Sequence, residues 1–487
     1  MPFAFVDNNT AIDHAARRKI RSHVARGRNA GKTVVRPSRK KAETTAAALV
    51  RASWLAGETR DPMPLLRQVG DRLSVVSFPE QPTEASKSLV QRAFAFISGP
   101  RHIPELSNAL DTTANSASMW VQFMFLDEAY FHCAVAVSVT ALNNLVIKQE
   151  DPIEAVQHIS HAFRLINAKL SGDGDVSDTT IAAVIIMSQY ERLQGQYRQG
   201  VVHLEGLQRM VELRGGISKL TKNKPGADLE FSLHLGSETR FHIEDIAYSS
   251  STSSMAIFRL PSSFRRQDDL KPPEILHSRL LARLSANLQD LLVDMTNLAW
   301  LLNDASAGYR PKVHGYTFQD AFLQLGYRIV DISPLGGPRP SNRLENAVHL
   351  GLTAFFITLF CGLDYKMMKS PLLNDLARSA AQEPFDGDQE NQEVLLWLLF
   401  IGGAAVFRQP DDAWLTPKTI HTMQALDLHT WDDVRQMLAK FPWVTAIHDK
   451  AGRLQTCSQG HLDYFHRTIG HPSSLGKPPL DAPMREK

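Results

Sequence analysis

The chain has 487 residues, 43% of them hydrophobic and 21% charged, a balance that suits a soluble globular protein with a sizeable core and excludes fibrous or collagen-like architecture. Its net charge of +2 hides a segregation: residues 1–50 hold eleven Lys or Arg against Asp7, Asp13 and Glu43, about +8 in all, so the remainder is net acidic. The three cysteines, Cys133, Cys361 and Cys457, are too widely spaced for a disulfide framework and point to a reducing compartment.

The first nine residues contain Asp7 and lack a basic stretch followed by an apolar run, so a secretory signal is not expected. A small apolar cluster, Phe3, Phe5 and Val6, leads into a cationic tract: Arg17, Arg18, Lys19, Arg21, Arg26, Arg28, Lys32, Arg36, Arg39, Lys40 and Lys41. Residues 1–50 are expected to form a largely disordered basic arm, with a transient helix between Thr10 and Arg28. Two dense cationic clusters in such an arm suit the acidic grooves of a nuclear-import receptor, and they also suit nucleic-acid phosphates. Within it, Gly27 to Thr33 imitates a phosphate-binding loop. It has three residues between the glycines instead of four and no preceding strand, so the reading is a flexible arm.

Residues 51–84 read as a proline-punctuated connector, and helical periodicity begins after Pro82. Helices are expected over Ala85–Ile97, Met119–Leu145 and Pro152–Leu170. Two of them carry pairs of metal-competent side chains: Glu128 with His132 four apart, and His158 with His161 three apart. Neither pair has a third ligand beside it in sequence, so both are read as helix-surface or satisfied core residues. Asp173 to Asp178 opens like a calcium loop, but Asp178 stands where a glycine must turn and Val184 where a bidentate Glu must close the site. A helix cap is the simpler reading.

The clearest helix signals lie between Ser177 and Gly216. Ser177 and Asp178 start one helix, with Ile181, Val184, Ile185, Ser188 and Leu193 on a face. Gly195 and Gly200 bracket a turn, and a second helix follows with Val202, Leu207, Met210, Val211 and Leu213, stopping at Gly215-Gly216. This is a helical hairpin.

An irregular insertion with short elements is expected at about 221–274, after which helices resume over Ile275–Leu302, Asn342–Met368 and Asn391–Phe407. The most apolar runs, Leu350–Leu363 and Val394–Phe407, are shorter than the roughly 20 residues a membrane span needs and read as core helices. Thr416–Ile469 is mixed helical. Cys457, His461, His466 and His471 are chemically suited to zinc, but their spacing matches no common structural site and they read as scattered side chains. Residues 471–487 form a tail, and strand-like alternation is hard to find anywhere. The expectation is an all-α fold, a large helical array of antiparallel pairs over 85–470. No Gly-x-Ser-x-Gly elbow or other nucleophile setting occurs, so no catalytic, cofactor-binding or metal residue is assigned and no enzyme is expected.

The hairpin carries a recognisable pattern: Tyr197, then His203-Leu204-Glu205-Gly206-Leu207, Met210-Val211 and Arg214-Gly215-Gly216. It resembles the helical regulatory domain, or middle homology region, of the fungal-specific transcription factors. Ser177 to Ala183 and the distant Leu395-Leu396-Trp397-Leu398-Leu399 with Gly402 are similar to the same family. Members usually begin with a two-zinc, six-cysteine cluster that reads DNA. Three scattered cysteines cannot supply it, and the opening Phe3-Ala4-Phe5-Val6 with Arg21-Ser22-His23-Val24 resembles a subgroup that begins with a basic arm instead.

The resemblance implies a nuclear transcriptional regulator whose helical body contacts effectors or partners. Its expected partners are a nuclear import receptor, transcriptional co-regulators or a DNA-binding protein, DNA itself through nonspecific phosphate contact, and a small-molecule effector, with no membrane. Phosphate contacts of the arm carry no base information. The alternative is a cytoplasmic helical scaffold or adaptor whose arm binds acidic surfaces.

Overall fold

The computed structural model describes residues 84–98, 103–111, 119–146, 153–171, 176–217, 220, 226–242, 278–360, 370–384 and 387–457. The basic arm, nearly all of the connector and the tail lie outside the described residues, as do the glycine-rich imitation at Gly27–Thr33 and His461, His466 and His471. Sixteen α-helices, two three-residue 3-10 helices and two two-residue strands make up the regular structure of the described residues, an all-α fold.

The first half is a bundle built on α3 (Glu128–Val146), whose inward residues from Tyr130 to Val139 are nearly all buried. Helices α1 (Glu84–Ser98), α2 (Met119–Leu126), α4 (Ile153–Leu170) and α5 (Asp178–Leu193) pack on it, and α6 (Tyr197–Leu213) packs on α5. The single helix expected over Met119–Leu145 is two helices, because Asp127 interrupts it. Its Oδ1 accepts the backbone N–H of Tyr130 at 3.1 Å and so caps α3, a role for which Asp is suited.

The second half is organised on α11 (Arg343–Leu359) and α13 (Gln389–Ala405), which hold the apolar runs read as core helices. They pack closely because Gly351 leaves room for Trp397: a Cβ at Gly351 would stand 2.4 Å from the indole. Trp397 is fully buried, stacks on Phe441 with ring centroids 5.0 Å apart, and donates its Nε1–H to the Pro442 carbonyl at 3.2 Å. Around this pair lie α12 (Pro371–Gln382), α14 (Asp412–Ala425), α15 (Trp431–Leu438) and α16 (Thr445–Cys457). The helix expected from Ile275 is a single turn, α8 (Ser278–Leu281), followed by α9 (Ala286–Ser306). Helix α10 (Gly315–Ile332) then leads back towards the first half.

Two features join the halves. Strands β1 (Leu110–Asp111) and β2 (Val313–His314) pair in parallel, Leu110 opposite Val313. Helix α7 (Gly226–Leu235), inside the stretch expected to be an irregular insertion, is buried on every side from Ala227 to Leu233 between the hairpin and α10. Its Asp228 carboxylate is enclosed, accepting the backbone N–H groups of Arg240 at 2.8 Å and Phe241 at 3.2 Å and the Tyr327 hydroxyl at 3.2 Å. Burial raises the Asp228 pKa, and these hydrogen bonds oppose it.

Candidate functional site

The hairpin forms as expected, and its details are local chemistry. Ser177 has extended backbone and its Oγ accepts the Thr180 N–H at 3.1 Å, capping α5. The turn passes through Gly195 at φ +72°, a left-handed conformation that suits glycine. Helix α6 ends at Gly215 and Gly216, both at positive φ, with the Gly216 N–H returning to the Val211 carbonyl at 2.9 Å. The Arg214 guanidinium then binds the Asp178 carboxylate, tying the end of α6 to the start of α5. Leu204, Leu207, Met210 and Val211 are the buried stripe of α6. Val202 and Leu213, expected on that face, are exposed at 62% and 79% and lie along an open groove beside the hairpin.

Between α4, α5 and α6 lies an open groove of about 530 Å³. Its walls are apolar, including Phe163, Ile166, Val184 and Met210, and Lys169, His203 and Arg209 contribute polar atoms. Gly206 belongs to this lining, and a Cβ there would meet nothing within 4 Å. Packing therefore does not require glycine at 206. At Gly200, six residues earlier in the same helix, a Cβ would lie 2.3 Å from the Phe231 ring of α7. Gly206→Ala is expected to stabilise the protein by about 0.5–1 kcal/mol through better helix propensity, whereas Gly200→Ala destabilises it. Thermal unfolding of the two variants decides the matter, and equal effects in one direction would contradict it.

At the other end of α5, Arg192 is 1% exposed. Its Nε donates to Gln189 Oε1 at 2.9 Å and lies 3.2 Å from Glu230 Oε2 of α7, to which Gln189 Nε2 also donates at 2.7 Å. Arg192 Nη1 and Nη2 have no hydrogen-bond partner among the described residues. A charged pair therefore pins α7 to the hairpin from inside the core.

The structure also unites the two ligand-type pairs that sequence spacing kept apart. Helices α3 and α4 pack side by side, which places Glu128 and His132 against His158 and His161. His132 Nδ1 and His158 Nδ1 are 2.6 Å apart, one donating to the other. The His132 and His161 rings stack with centroids 4.4 Å apart, and His161 Nε2 is 3.4 Å from Glu128 Oε1. His132 is buried, while Glu128 and His161 are half-exposed. Burial, and then the neighbouring imidazoles of His158 and His161, push the His132 pKa down to about 4, so the ring is neutral near pH 7.

Beside this cluster, Asp127 joins three helices. Its Oδ2 accepts from Lys169 Nζ of α4 at 2.6 Å and from Thr179 Oγ1 of α5 at 2.5 Å, while Oδ1 caps α3. Burial opposes its ionisation, but the bonds from Lys169, Thr179 and Tyr130 prevail and lower its pKa. Residues 172–175, which include the first three positions of the imitation calcium loop, lie outside the described residues. The Cys457 side chain does also.

Residues 102–438 match the family model described as the fungal specific transcription factor domain. The chain belongs to that family. Its hairpin is thus part of a fungal specific transcription factor domain, and the motif residues Leu204, Leu207, Met210 and Val211 are that domain's packing contacts. The family places the protein among transcriptional regulators. Comparison with curated proteins gave no match, and comparison with solved structures gave none. No helix of the described residues is long and apolar enough to cross a membrane.

Proposed function

We propose that this protein is a nuclear transcriptional regulator whose helical body receives an effector or a protein partner and whose basic arm serves nuclear import, with weak phosphate contact to DNA. The membership of residues 102–438 in the fungal specific transcription factor domain family carries this reading. The segregated charge supports the arm's role: a tract of eleven cations presents the pattern that import receptors read, and it binds phosphates in a salt-sensitive, sequence-independent way. Specific promoter choice then comes from a DNA-binding partner or co-regulator. The groove between α4, α5 and α6, apolar with cationic atoms among its lining, suits a small molecule with an apolar body and an anionic group. The role asks for no chemical step.

Neutralising Arg17, Arg18, Lys19, Arg39, Lys40 and Lys41 together is expected to shift a tagged protein from nucleus to cytoplasm. Unchanged nuclear accumulation would remove the import role. Chromatin occupancy of the full chain is expected at discrete sites and is expected to fade when residues 1–42 are deleted. A protein with no enrichment in either form is not a chromatin-associated regulator.

A further inference from the structure

We infer that Glu128, His132 and His161 form a binding site for a divalent transition-metal ion, zinc foremost, clamping α3 to α4. One ligand atom from each residue lies within 4.8 Å of the others, and the closest contact, His161 Nε2 to Glu128 Oε1, is 3.4 Å. Two ligands of a tetrahedral zinc, each about 2.0–2.2 Å from the ion, stand roughly 3.3–3.5 Å apart. The Glu128–His161 edge already has that length, and the remaining edges close by rotation of half-exposed side chains.

The chemistry of the donors selects the ion. Two imidazoles and a carboxylate suit zinc and its first-row neighbours, while calcium and magnesium prefer an all-oxygen shell. His132 is buried and provides a fixed ligand, and the exposure of the other two leaves the site open to solvent. Three protein ligands with an open side is an arrangement in which water or an exogenous group completes the coordination. His158 stands behind the site. Its Nδ1 is 2.6 Å from His132 Nδ1, the kind of outer contact that orients a metal-bound histidine.

Helix geometry explains why the set converges. Positions four apart on α3 and three apart on α4 each face one side of their helix, and the packed pair turns those sides together. Glu128 directly follows Asp127, which holds Lys169 of α4 and Thr179 of α5. An ion on Glu128 therefore stiffens the junction of the three helices. Lys169 of that junction also lines the groove.

The test is zinc titration of the chelator-treated full-length protein, followed by calorimetry and thermal unfolding, in the native sequence and in Glu128→Gln and His161→Ala. Both substitutions fall on half-exposed side chains, and circular dichroism checks that the helices persist. His132 is left in place, since its burial would confuse loss of ligation with loss of fold. The expected result is saturation near one ion per chain, a rise in Tm with zinc, and affinity lowered about tenfold or more in each variant. Absence of saturable binding to the native protein overturns the site. So does binding that both variants retain undiminished, which would assign the ion to other residues.

Discussion

Glu230→Ala is expected to cost about 3–5 kcal/mol of stability, because it breaks a buried ion pair. Its carboxylate accepts from Gln189 and neutralises Arg192, whose side chain is only 2% exposed. Without it the guanidinium keeps a single bond, to Gln189 Oε1, in a setting where Nη1 and Nη2 already have no partner among the described residues. An uncompensated buried charge is among the few single changes that cost this much. The paired replacement Arg192→Met with Glu230→Leu removes both charges and is expected to recover most of the loss. Exposed Glu205→Ala on α6 serves as the control and stays within about 0.5 kcal/mol. Urea unfolding of the four proteins measures all of this. A loss below about 1 kcal/mol for Glu230→Ala would show that the pair does not hold α7 to the hairpin.

The parts of this fold that were legible in sequence are those written in local chemistry. Ser177, Gly195 and the Gly215-Gly216 stop each act on the backbone within a few residues, so the hairpin could be placed from them. The apolar runs around Leu350 and Leu395 were legible as core because length alone separates a core helix from a membrane span. Other features depend on partners distant in the chain. The exposure of Val202 and Leu213 along the groove follows from where α4 and α5 sit, and periodicity alone does not choose between two apolar stripes. Periodicity does not show the break at Asp127, because the residue sits in an otherwise continuous helical pattern. The Glu128 and His132 pair acquires meaning only when α4 brings His158 and His161 beside it. Each half was visible, and their meeting is tertiary. The signal that the sequence carries is the helical spacing within each pair, four for Glu128 and His132 and three for His158 and His161.

Lowering the pH from 7 to 5 is expected to destabilise the protein steeply through histidines buried in neutral form. His349 is fully buried, with Nε2–H donating to the Ile329 carbonyl at 2.9 Å and Nδ1 accepting from Arg339 Nη2 at 2.8 Å. A proton on Nδ1 would face the guanidinium and lose that bond. Burial first, and Arg339 second, push the His349 pKa down to about 4. His448 is likewise enclosed: Nδ1 accepts the Val444 N–H at 2.9 Å and Nε2–H faces Thr358 Oγ1 at 2.8 Å, and burial lowers its pKa to about 3. In both cases the folded pKa lies below the unfolded value of 6.5. The unfolded chain therefore takes up protons that the native state refuses. The stability these residues contribute is present above pH 6.5 and is lost as the pH falls from there towards 4 and 3. Each contributes a slope of about 1.4 kcal/mol per pH unit between pH 6 and 5. His132, lowered to about 4, acts in the same direction. His448→Asn retains an acceptor for the Val444 N–H and cannot be protonated. It is expected to be less stable at pH 7 but to lose about 1.4 kcal/mol less per pH unit between 6 and 5 than the native protein, by urea unfolding at each pH. Identical slopes would mean that His448 is not held neutral, and the acid transition would then belong to other groups. Because His349 joins α11 to α10 and His448 joins α16 to α11, both protonations act on the second half, where the Gly351–Trp397 packing leaves little room to relax.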